Sequence, residues 1–287
     1  MRSVGITARS DLRRALRLVE SLCAYLKDKN VNVAVDEEVA RLCESAEVRA
    51  SASSVELLKK LDVIITIGGD GTILHTIRKL KPPLRLLSVN VGSMGFLCEI
   101  EPEEIHEAID KLLRGKYQLQ RINLLSVYID GVKADQALND VLVFTSVPAK
   151  VIDLIVRADG IEIFSGRADG VLISSSIGST AYIVSLGGPL VDPEVKCMIV
   201  AVLNPLKLGV RPLILPESST IQVTFPRRSK RGAAVYSDGV LTRNVDPRGL
   251  IEVKVSHEYV DFIRMKDVRH TFYRKFYKVR IRGGRRD

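Results

Sequence analysis

Apolar residues in the first third of the chain alternate between short continuous runs and a helical spacing. The runs are typical of buried strands, and each is followed by a segment whose apolar residues recur every three or four positions. The predicted strands cover residues 3–7, 32–35, 62–67 and 84–89, and the predicted helices cover residues 12–26, 37–44, 54–60, 73–80 and 102–114. Strand and helix in alternation favour a Rossmann-like parallel sheet covered by helices.

The pattern changes after residue 116. Short strands with alternating apolar residues follow one another, separated by the hairpin-forming pairs Asp130-Gly131, Asp159-Gly160 and Asp238-Gly239. This pattern predicts a C-terminal β-sandwich-like domain. The last segment, residues 270–282, again has a helical spacing that would let it pack on the first domain. We therefore expect an α/β domain of residues 1–116 and 260–287, and a β-rich domain of residues 117–259.

Composition excludes several classes of protein. The 287 residues are 46% hydrophobic, enough for a substantial core, yet no apolar run approaches the roughly 20 residues of a membrane span. The N-terminal residues do not form a signal peptide, and the four cysteines are scattered, so we expect a cytoplasmic protein without a disulfide framework or zinc site. The net charge of +9 suits a phosphate-rich partner.

Much of that charge lies at the C-terminal end. From Val260 onward there are ten Lys or Arg against three Asp. We interpret this segment as a solvated basic tail, because terminal charge runs usually remain in water. A nucleic-acid-binding role is the alternative, but the tail has no recognised nucleic-acid motif.

A glycine-rich turn carries the first candidate chemistry. The buried strand pattern of residues 63–67 runs directly into Gly68-Gly69-Asp70-Gly71-Thr72 and then into a helix. Glycines let the backbone approach a ligand and direct N–H groups at phosphate oxygens, and a helix N-terminus favours anions. The turn is neither a dinucleotide fingerprint nor a Walker A motif. It predicts a phosphate-binding turn made of Gly68, Gly69, Gly71 and Thr72.

Asp70 is unexpected in such a turn, because a carboxylate repels phosphate. In phosphoryl transfer a carboxylate orients the attacking hydroxyl and accepts its proton, which would explain this position. The structural alternative is a helix cap. The other Asp-Gly pairs named above lie between alternating apolar residues, whereas only Asp70-Gly71 joins a buried strand to a helix. We therefore predict a kinase with Asp70 as its catalytic base.

A second polar cluster occurs in the β-rich domain. Residues 174–189 combine hydroxyl side chains with glycines on both sides of Thr180-Ala181-Tyr182. Hydroxyls and exposed N–H groups suit the sugar and base edges of a nucleotide, and a tyrosine can stack on a base. A polar surface loop would explain the serines but not the flanking glycines.

Together these motifs resemble the NAD kinase (ATP-NAD kinase) family, whose members phosphorylate the 2′-hydroxyl of the adenosine ribose of NAD to give NADP. The likeness covers about half of the chain. Its motifs are Gly68-Gly-Asp-Gly-Thr72, Asn90-x-Gly92-x-x-Gly95-Phe96-Leu97, Asn139-Asp140, Gly178-Ser-Thr-Ala-Tyr182 with Ser185 and Gly187-Gly188-Pro189, and Arg211-Pro212-Leu213.

The resemblance implies roles for individual residues. Asp70 would be the catalytic base, and the β-rich domain would bind NAD. The residues implied around NAD are Asp70, Gly71, His75, Asn139, Asp140, Lys150, Arg167, Asp169, Thr180, Ala181, Tyr182 and Ser185. ATP or another phosphoryl donor would carry a divalent cation, Mg²⁺, with no protein side chain assigned to it. The family also implies a homodimer or homotetramer, without nucleic acid or membrane.

The chain departs from the family pattern in places. Ile177 stands where the family usually has threonine, Asp140 where it often has glutamate, and Val240 where it has glutamine after an Asp-Gly pair; we assign no role to Val240 or Asp238. Two other functions remain open from the sequence: a diacylglycerol-type lipid kinase, which shares the glycine turn, and a non-catalytic nucleotide-binding sensor.

Overall fold

The computed structural model of the protein describes residues 2–92, 95–147 and 149–282. The chain forms two compact units, which we call the α/β unit (residues 1–122 and 258–287) and the β unit (residues 123–257). It passes between them within two long strands, Gln118–Ile129 and Ile251–Arg264. Across the described ranges, none of the helices has both the length and the apolar character needed to span a membrane.

The α/β unit alternates strands and helices. Its elements are β1 (Ser3–Ala8), α1 (Arg13–Asp28), β2 (Asn32–Asp36), α2 (Glu37–Leu42), α3 (Ala46–Ala50), β3 (Ala52–Ser53), α4 (Val55–Leu58), β4 (Val63–Gly68), α5 (Asp70–Leu80), β5 (Leu84–Asn90), a 3₁₀ turn (Pro102–Glu104), α6 (Ile105–Leu113), the start of β6 (Gln118–Ile129), the end of β17 (Ile251–Arg264) and α7 (Val268–Arg282). The parallel strands have the order β3-β2-β1-β4-β5-β17, and β4 is buried along its whole length.

This strand order places the glycine turn at a special point of the sheet. From β1 the chain adds strands in one direction to β2 and β3, and in the other direction to β4 and β5. The order reverses between β1 and β4, which is where ligands bind in open α/β sheets. Gly68, at the carboxyl end of β4, lies opposite Asn90 at the end of β5. The segment that follows Asn90 therefore runs beside the turn.

Two expectations for the α/β unit need correction. The helix after the turn begins at Asp70 instead of Ile73, because the Gly69 N–H donates to Thr72 Oγ1 (3.3 Å) and so caps the extra turn. The basic C-terminal segment is not simply a solvated tail: it forms α7, in which Thr271 is buried and Lys275 is partly buried. α3, capped by Ser45, was not expected from the apolar pattern because it is too short to show a periodicity.

The β unit is a sandwich of antiparallel sheets. Its elements are the end of β6, β7 (Val132–Ala137), β8 (Asp140–Thr145), β9 (Ile152–Ala158), β10 (Ile161–Ala168), β11 (Gly170–Ser175), 3₁₀ turns (Ile177–Thr180 and Tyr182–Leu186), β12 (Cys197–Leu203), β13 (Leu213–Pro216), β14 (Ile221–Thr224), β15 (Ala233–Ser237), β16 (Val240–Val245) and the start of β17. One sheet has the order β13-β12-β11-β8-β15-β16, and the strands β10-β9-β14-β17 form the other face. The predicted fold class is confirmed.

Candidate active site

Thr72 shapes the glycine turn in the α/β unit. Its side chain folds back over β4, so a Cβ atom at Gly68 would lie 2.1 Å from Thr72 Oγ1, and only glycine fits there. Gly69 and Gly71 are different. A Cβ atom at either would meet nothing within 4 Å, and neither has a positive φ. Glycine in a helix costs about 0.5–1 kcal/mol relative to alanine, so the fold alone does not explain Gly71. Open space over both residues suits a bound group.

The Asp70 carboxylate is held by the segment that follows β5. Oδ2 accepts a hydrogen bond from the Phe96 N–H (2.8 Å), and Oδ1 accepts one from the Leu97 N–H (3.1 Å). The Cys98 thiol also donates to Oδ1, at 3.7 Å. Gly95 permits this approach, because a Cβ atom there would lie 2.3 Å from Oδ1. Two motifs that are far apart in sequence thus meet at one carboxylate, which is fixed but keeps lone pairs for a further donor.

A crevice of about 390 Å³ opens at the switch point between β1 and β4. Its cationic and titratable side chains include Arg9, His75 and Lys79. Arg9 pairs with Asp11 (2.8 Å), and Lys79 Nζ lies 2.8 Å from Asp36. His75 is exposed on α5. Among the described residues, the crevice is lined by Gly69 and Gly71, on either side of Asp70, but not by Asp70 itself.

The predicted Asn139-Asp140 pair in the β unit is held by a residue to which the sequence assigned no role. The Asp238 carboxylate accepts hydrogen bonds from the N–H groups of Leu138 (2.7 Å), Asn139 (2.8 Å) and Asp140 (3.2 Å). Asp238 occupies the left-handed position of its hairpin, as the Asp-Gly signal predicts. That signal indicates a turn, however, and gives no indication of which distant backbone the carboxylate will bind.

Asp140 is buried beside this second carboxylate. Burial, together with the negative charge of Asp238, raises the pKa of Asp140 to about 7, while a hydrogen bond from the Tyr182 N–H opposes the rise. Its side chain therefore changes protonation near neutral pH, so it can act as donor or acceptor toward a ligand. The Tyr182 contact also brings the second predicted motif to the first.

The hydroxyl-rich segment packs tightly on the same turn. Ser175 Oγ donates to the Leu138 carbonyl (2.6 Å) and accepts from the Gly178 N–H (3.1 Å). A Cβ atom at Gly178 would lie 2.1 Å from the Asn139 carbonyl oxygen. Gly178 is thus required by close packing of two backbone segments. The hydroxyl-rich pattern predicts side chains that donate to a ligand. Ser174 and Ser175 are instead buried and hold the loop.

The remaining predicted residues of the β unit differ in their surroundings. Tyr182 and Ser185 are exposed, Thr180 and Ala181 are partly buried, and Asp169 accepts a hydrogen bond from Asn204 Nδ2 (2.7 Å). Lys150 and Arg167 lie on the surface. Ile177, where the family usually has threonine, is partly buried at the start of a 3₁₀ turn. The structure thus joins Asn139, Asp140 and Tyr182 directly and leaves the two cations exposed.

A glycine-rich turn at a switch point, a fixed carboxylate beside it and a polar loop cluster in the β unit are features expected of a phosphotransferase. Family models agree: the ATP-NAD kinase N-terminal domain matches residues 4–117, and the ATP-NAD kinase C-terminal domain matches residues 138–265. An NAD kinase of Methanosphaera stadtmanae is 38% identical over 265 residues, which cover 92% of this chain and 94% of the relative. One of Methanothermobacter thermautotrophicus is 35% identical over 285 residues, which cover 99% and 98%.

Solved structures show the same similarity. An NAD kinase from Archaeoglobus fulgidus, in complex with ATP, superposes with a TM-score of 0.77 at 28% identity over 96% of this chain and 98% of that one. A yeast NADH kinase complexed with NADH gives a TM-score of 0.86 at 22% identity over 96% and 86%, and so supports the fold. The chain belongs to the NAD kinase family and is an enzyme that phosphorylates NAD. The resemblance is confirmed, and the lipid kinase and sensor alternatives are not favoured.

Proposed function

We propose that the enzyme transfers the γ-phosphoryl group of ATP to the 2′-hydroxyl of the adenosine ribose of NAD, with Asp70 as catalytic base. The hydroxyl oxygen forms a bond to the γ-phosphorus while the bond from that phosphorus to the ADP oxygen breaks. The hydroxyl proton passes to the Asp70 carboxylate. The observation that carries the proposal is the fixed carboxylate, hydrogen-bonded to Phe96 and Leu97 and flanked by two glycines over open space.

The geometry supports separate sides for the donor and the acceptor. Phosphate oxygens would face the crevice, where the glycine positions are open and the α5 N-terminus offers N–H groups. Asp70, which does not line that crevice, would face the acceptor hydroxyl. A carboxylate on the acceptor side orients the nucleophile without repelling the triphosphate, and a loose transition state needs a base only late.

The divalent cation would arrive with the donor. Within the described ranges, no group of three or more His, Cys, Asp or Glu side chains is arranged to hold a metal ion. In such sites Mg²⁺ is usually bound by substrate phosphates together with one or two protein carboxylates, and it keeps several waters. It therefore does not require such a cluster. The ion would spread the charge that develops on the transferred group. Among the described residues, the carboxylates that line the crevice are Asp11, Asp36 and Glu38, and each is paired with Arg9 or Lys79.

The β unit would bind NAD through its loop cluster. Asn139, Asp140 and Tyr182 form the connected part of this cluster, and the exposed Ser185, Lys150 and Arg167 would add contacts to hydroxyl and phosphate groups. Asp169, Thr180, Ala181 and His75 keep the roles that the resemblance implies. Hydrogen-bonding loops of this kind suit the ribose hydroxyls and base edges of a nucleotide.

We further propose a cytoplasmic homo-oligomer, a dimer or tetramer. β13 ends the six-stranded sheet, and its Leu213 and Ile214 side chains are 41% and 52% exposed. An apolar edge strand is a template for pairing with another chain unless it is covered. Sedimentation of the purified protein would measure the assembly, and Ile214→Lys should shift it toward monomer.

Asp70→Asn is the decisive experiment. The amide keeps the size of the side chain but cannot accept the hydroxyl proton, so we expect kcat to fall about 10²–10⁴-fold. NAD affinity by calorimetry should stay within about threefold, because the asparagine side chain can still accept a hydrogen bond from the hydroxyl. NADP formation should be measured with ATP, other triphosphates and polyphosphate. A near wild-type rate for Asp70→Asn would show that this residue is not the base.

A further inference from the structure

The backbone that holds Asp70 is itself held by two cations from the C-terminal part of the α/β unit. Arg264 of β17 donates from Nη1 to the Leu97 carbonyl (3.1 Å) and to Glu99 Oε2 (3.1 Å). Lys275 of α7 donates from Nζ to the Phe96 carbonyl (3.2 Å) and to the Cys98 carbonyl. Residues 96–98 therefore bind the Asp70 carboxylate through N–H groups, and bind the buried Arg264 and the partly buried Lys275 through carbonyl groups.

One peptide group connects Lys275 to Asp70 directly. The Phe96 carbonyl and the Leu97 N–H belong to the same peptide bond, and the first accepts from Lys275 while the second donates to Asp70 Oδ1. A cation on the carbonyl oxygen polarises that peptide group and makes its N–H a stronger donor, since consecutive hydrogen bonds strengthen one another. The positive charge of Lys275 thus acts on the Asp70 carboxylate through the dipole of the Phe96–Leu97 peptide group.

The position of Lys275 is built into the fold. Burial lowers the pKa of the Lys275 ammonium, so its charged form is retained only with good acceptors. The Phe272 ring packs against Phe96, with ring centroids 5.9 Å apart, which fixes α7 on the same segment. Lys278, one turn further along the helix, is exposed instead. One lysine of the basic C-terminal segment is therefore structural, and its neighbour is a matched control.

We propose that Lys275 is a positioning residue for phosphoryl transfer, which holds the Asp70 carboxylate in place through the Phe96–Leu97 peptide group. The proposal rests on the proposed role of Asp70. The charged and titratable groups that face this carboxylate are Cys98, Arg264 and Lys275, and Glu99 neutralises Arg264. Of these groups, Lys275 is connected to Asp70 through a single peptide group, whose carbonyl it binds and whose N–H binds Asp70.

Lys275→Met removes the charge at nearly constant length. We expect kcat to fall about tenfold, the size of a lost charge-assisted hydrogen bond, with KM for NAD and ATP within about twofold. Lys275→Arg should recover most of the rate, and Lys278→Met should match the wild type. A kcat within twofold of the wild type for Lys275→Met would overturn the proposal.

Two further measurements separate this role from general destabilisation and from the role of Asp70. Hydrogen exchange at the Phe96 and Leu97 amides should quicken in Lys275→Met and stay unchanged in Lys278→Met; unchanged exchange in both would overturn the proposal. In an Asp70→Asn background, Lys275→Met should lower the residual rate less than twofold, because both changes act on one group. A full tenfold further loss would mean that Lys275 acts elsewhere. Failure of the Asp70 role would appear separately, in the Asp70→Asn variant alone. Should Lys275→Met not fold, the neutral variant Lys275→Gln replaces it, with the same kinetic and exchange measurements and the same criteria.

Discussion

Gly95→Ala tests whether the position of the Asp70 carboxylate matters for turnover. The new Cβ atom would lie 2.3 Å from Asp70 Oδ1 and 2.9 Å from its Cγ atom. The three heavy atoms nearest to that Cβ atom all belong to the Asp70 carboxylate. We therefore expect the substitution to act by displacing this carboxylate.

The size of the effect follows from that contact. Cβ contacts below 3.0 Å are essentially absent from real structures, so the carboxylate or the 95–97 backbone must move by about 0.7 Å. A displacement of about 1 Å in a reacting group costs on the order of 10²-fold in rate. If the carboxylate rotates away, the N–H groups of Phe96 and Leu97 lose their acceptor, which costs about 1–3 kcal/mol for each donor left unpaired.

Steady-state kinetics with NAD and ATP, together with urea unfolding, would measure both effects. We expect kcat to fall about 10²-fold while KM changes little, since neither substrate site is altered. Gly166→Ala is the control, because its Cβ atom would make only ordinary contacts of 3.4 Å or more in the β unit. A Gly95→Ala enzyme with the kcat of the wild type would refute the reasoning that a fixed carboxylate is needed.

Three other substitutions test the remaining parts of the site. Gly71→Ala should raise the free energy of unfolding by about 0.5–1 kcal/mol, yet abolish most NAD kinase activity, because its Cβ atom would enter the open space in which we propose that phosphate binds; full activity would contradict this. Asp238→Asn leaves a single amide oxygen for three N–H donors and should raise the KM for NAD about tenfold with kcat within about threefold; an unchanged KM would argue against the cluster. Asp140→Asn tests the titration near neutral pH. The folded protein raises this pKa from 3.8 to about 7, so the protonated carboxyl stabilises the fold and that stabilisation is lost as pH rises. Urea unfolding should show the wild type losing about 1.4 kcal/mol relative to Asp140→Asn between pH 6 and pH 8, and equal losses would contradict the assignment.

The apolar pattern predicted the architecture because each element buries a face whose period is visible in the sequence. β4 is a continuous apolar run, and α5 buries Ile73, Ile77 and Leu80 at helical spacing. The pattern failed where burial does not set the structure. The first turn of α5 depends on a single side-chain cap by Thr72, and α7 carries so many charges that its packing contacts are not apparent from its composition.

The site was less predictable than the fold. The position of Asp70 could be singled out, because an acid in a phosphate-binding turn contradicts simple electrostatics. Its partners are backbone N–H groups about 26 residues further on, and backbone groups leave no mark in a sequence. The Asp238-Gly239 pair is fully explained by a hairpin turn, so nothing in the sequence indicates that Asp238 also binds three distant N–H groups. Both sets of contacts were unpredictable for the same reason, because each carboxylate accepts hydrogen bonds from backbone N–H groups that only the fold brings near it.

The hydrogen bonds that hold the Asp70 carboxylate would also reduce an electrostatic conflict in the glycine turn. A carboxylate beside a triphosphate would raise the energy of the bound donor, yet Asp70 follows Gly69 directly. The N–H groups of Phe96 and Leu97 partly neutralise the carboxylate, and Arg264 and Lys275 bind carbonyl groups of the same segment. The donor would then meet bare backbone N–H groups while the acceptor hydroxyl meets a fixed charge. Asp70 is the first residue of α5, and the N–H groups of the first turn of a helix have no intrahelical partner, so the same turn offers backbone donors and a carboxylate to different groups.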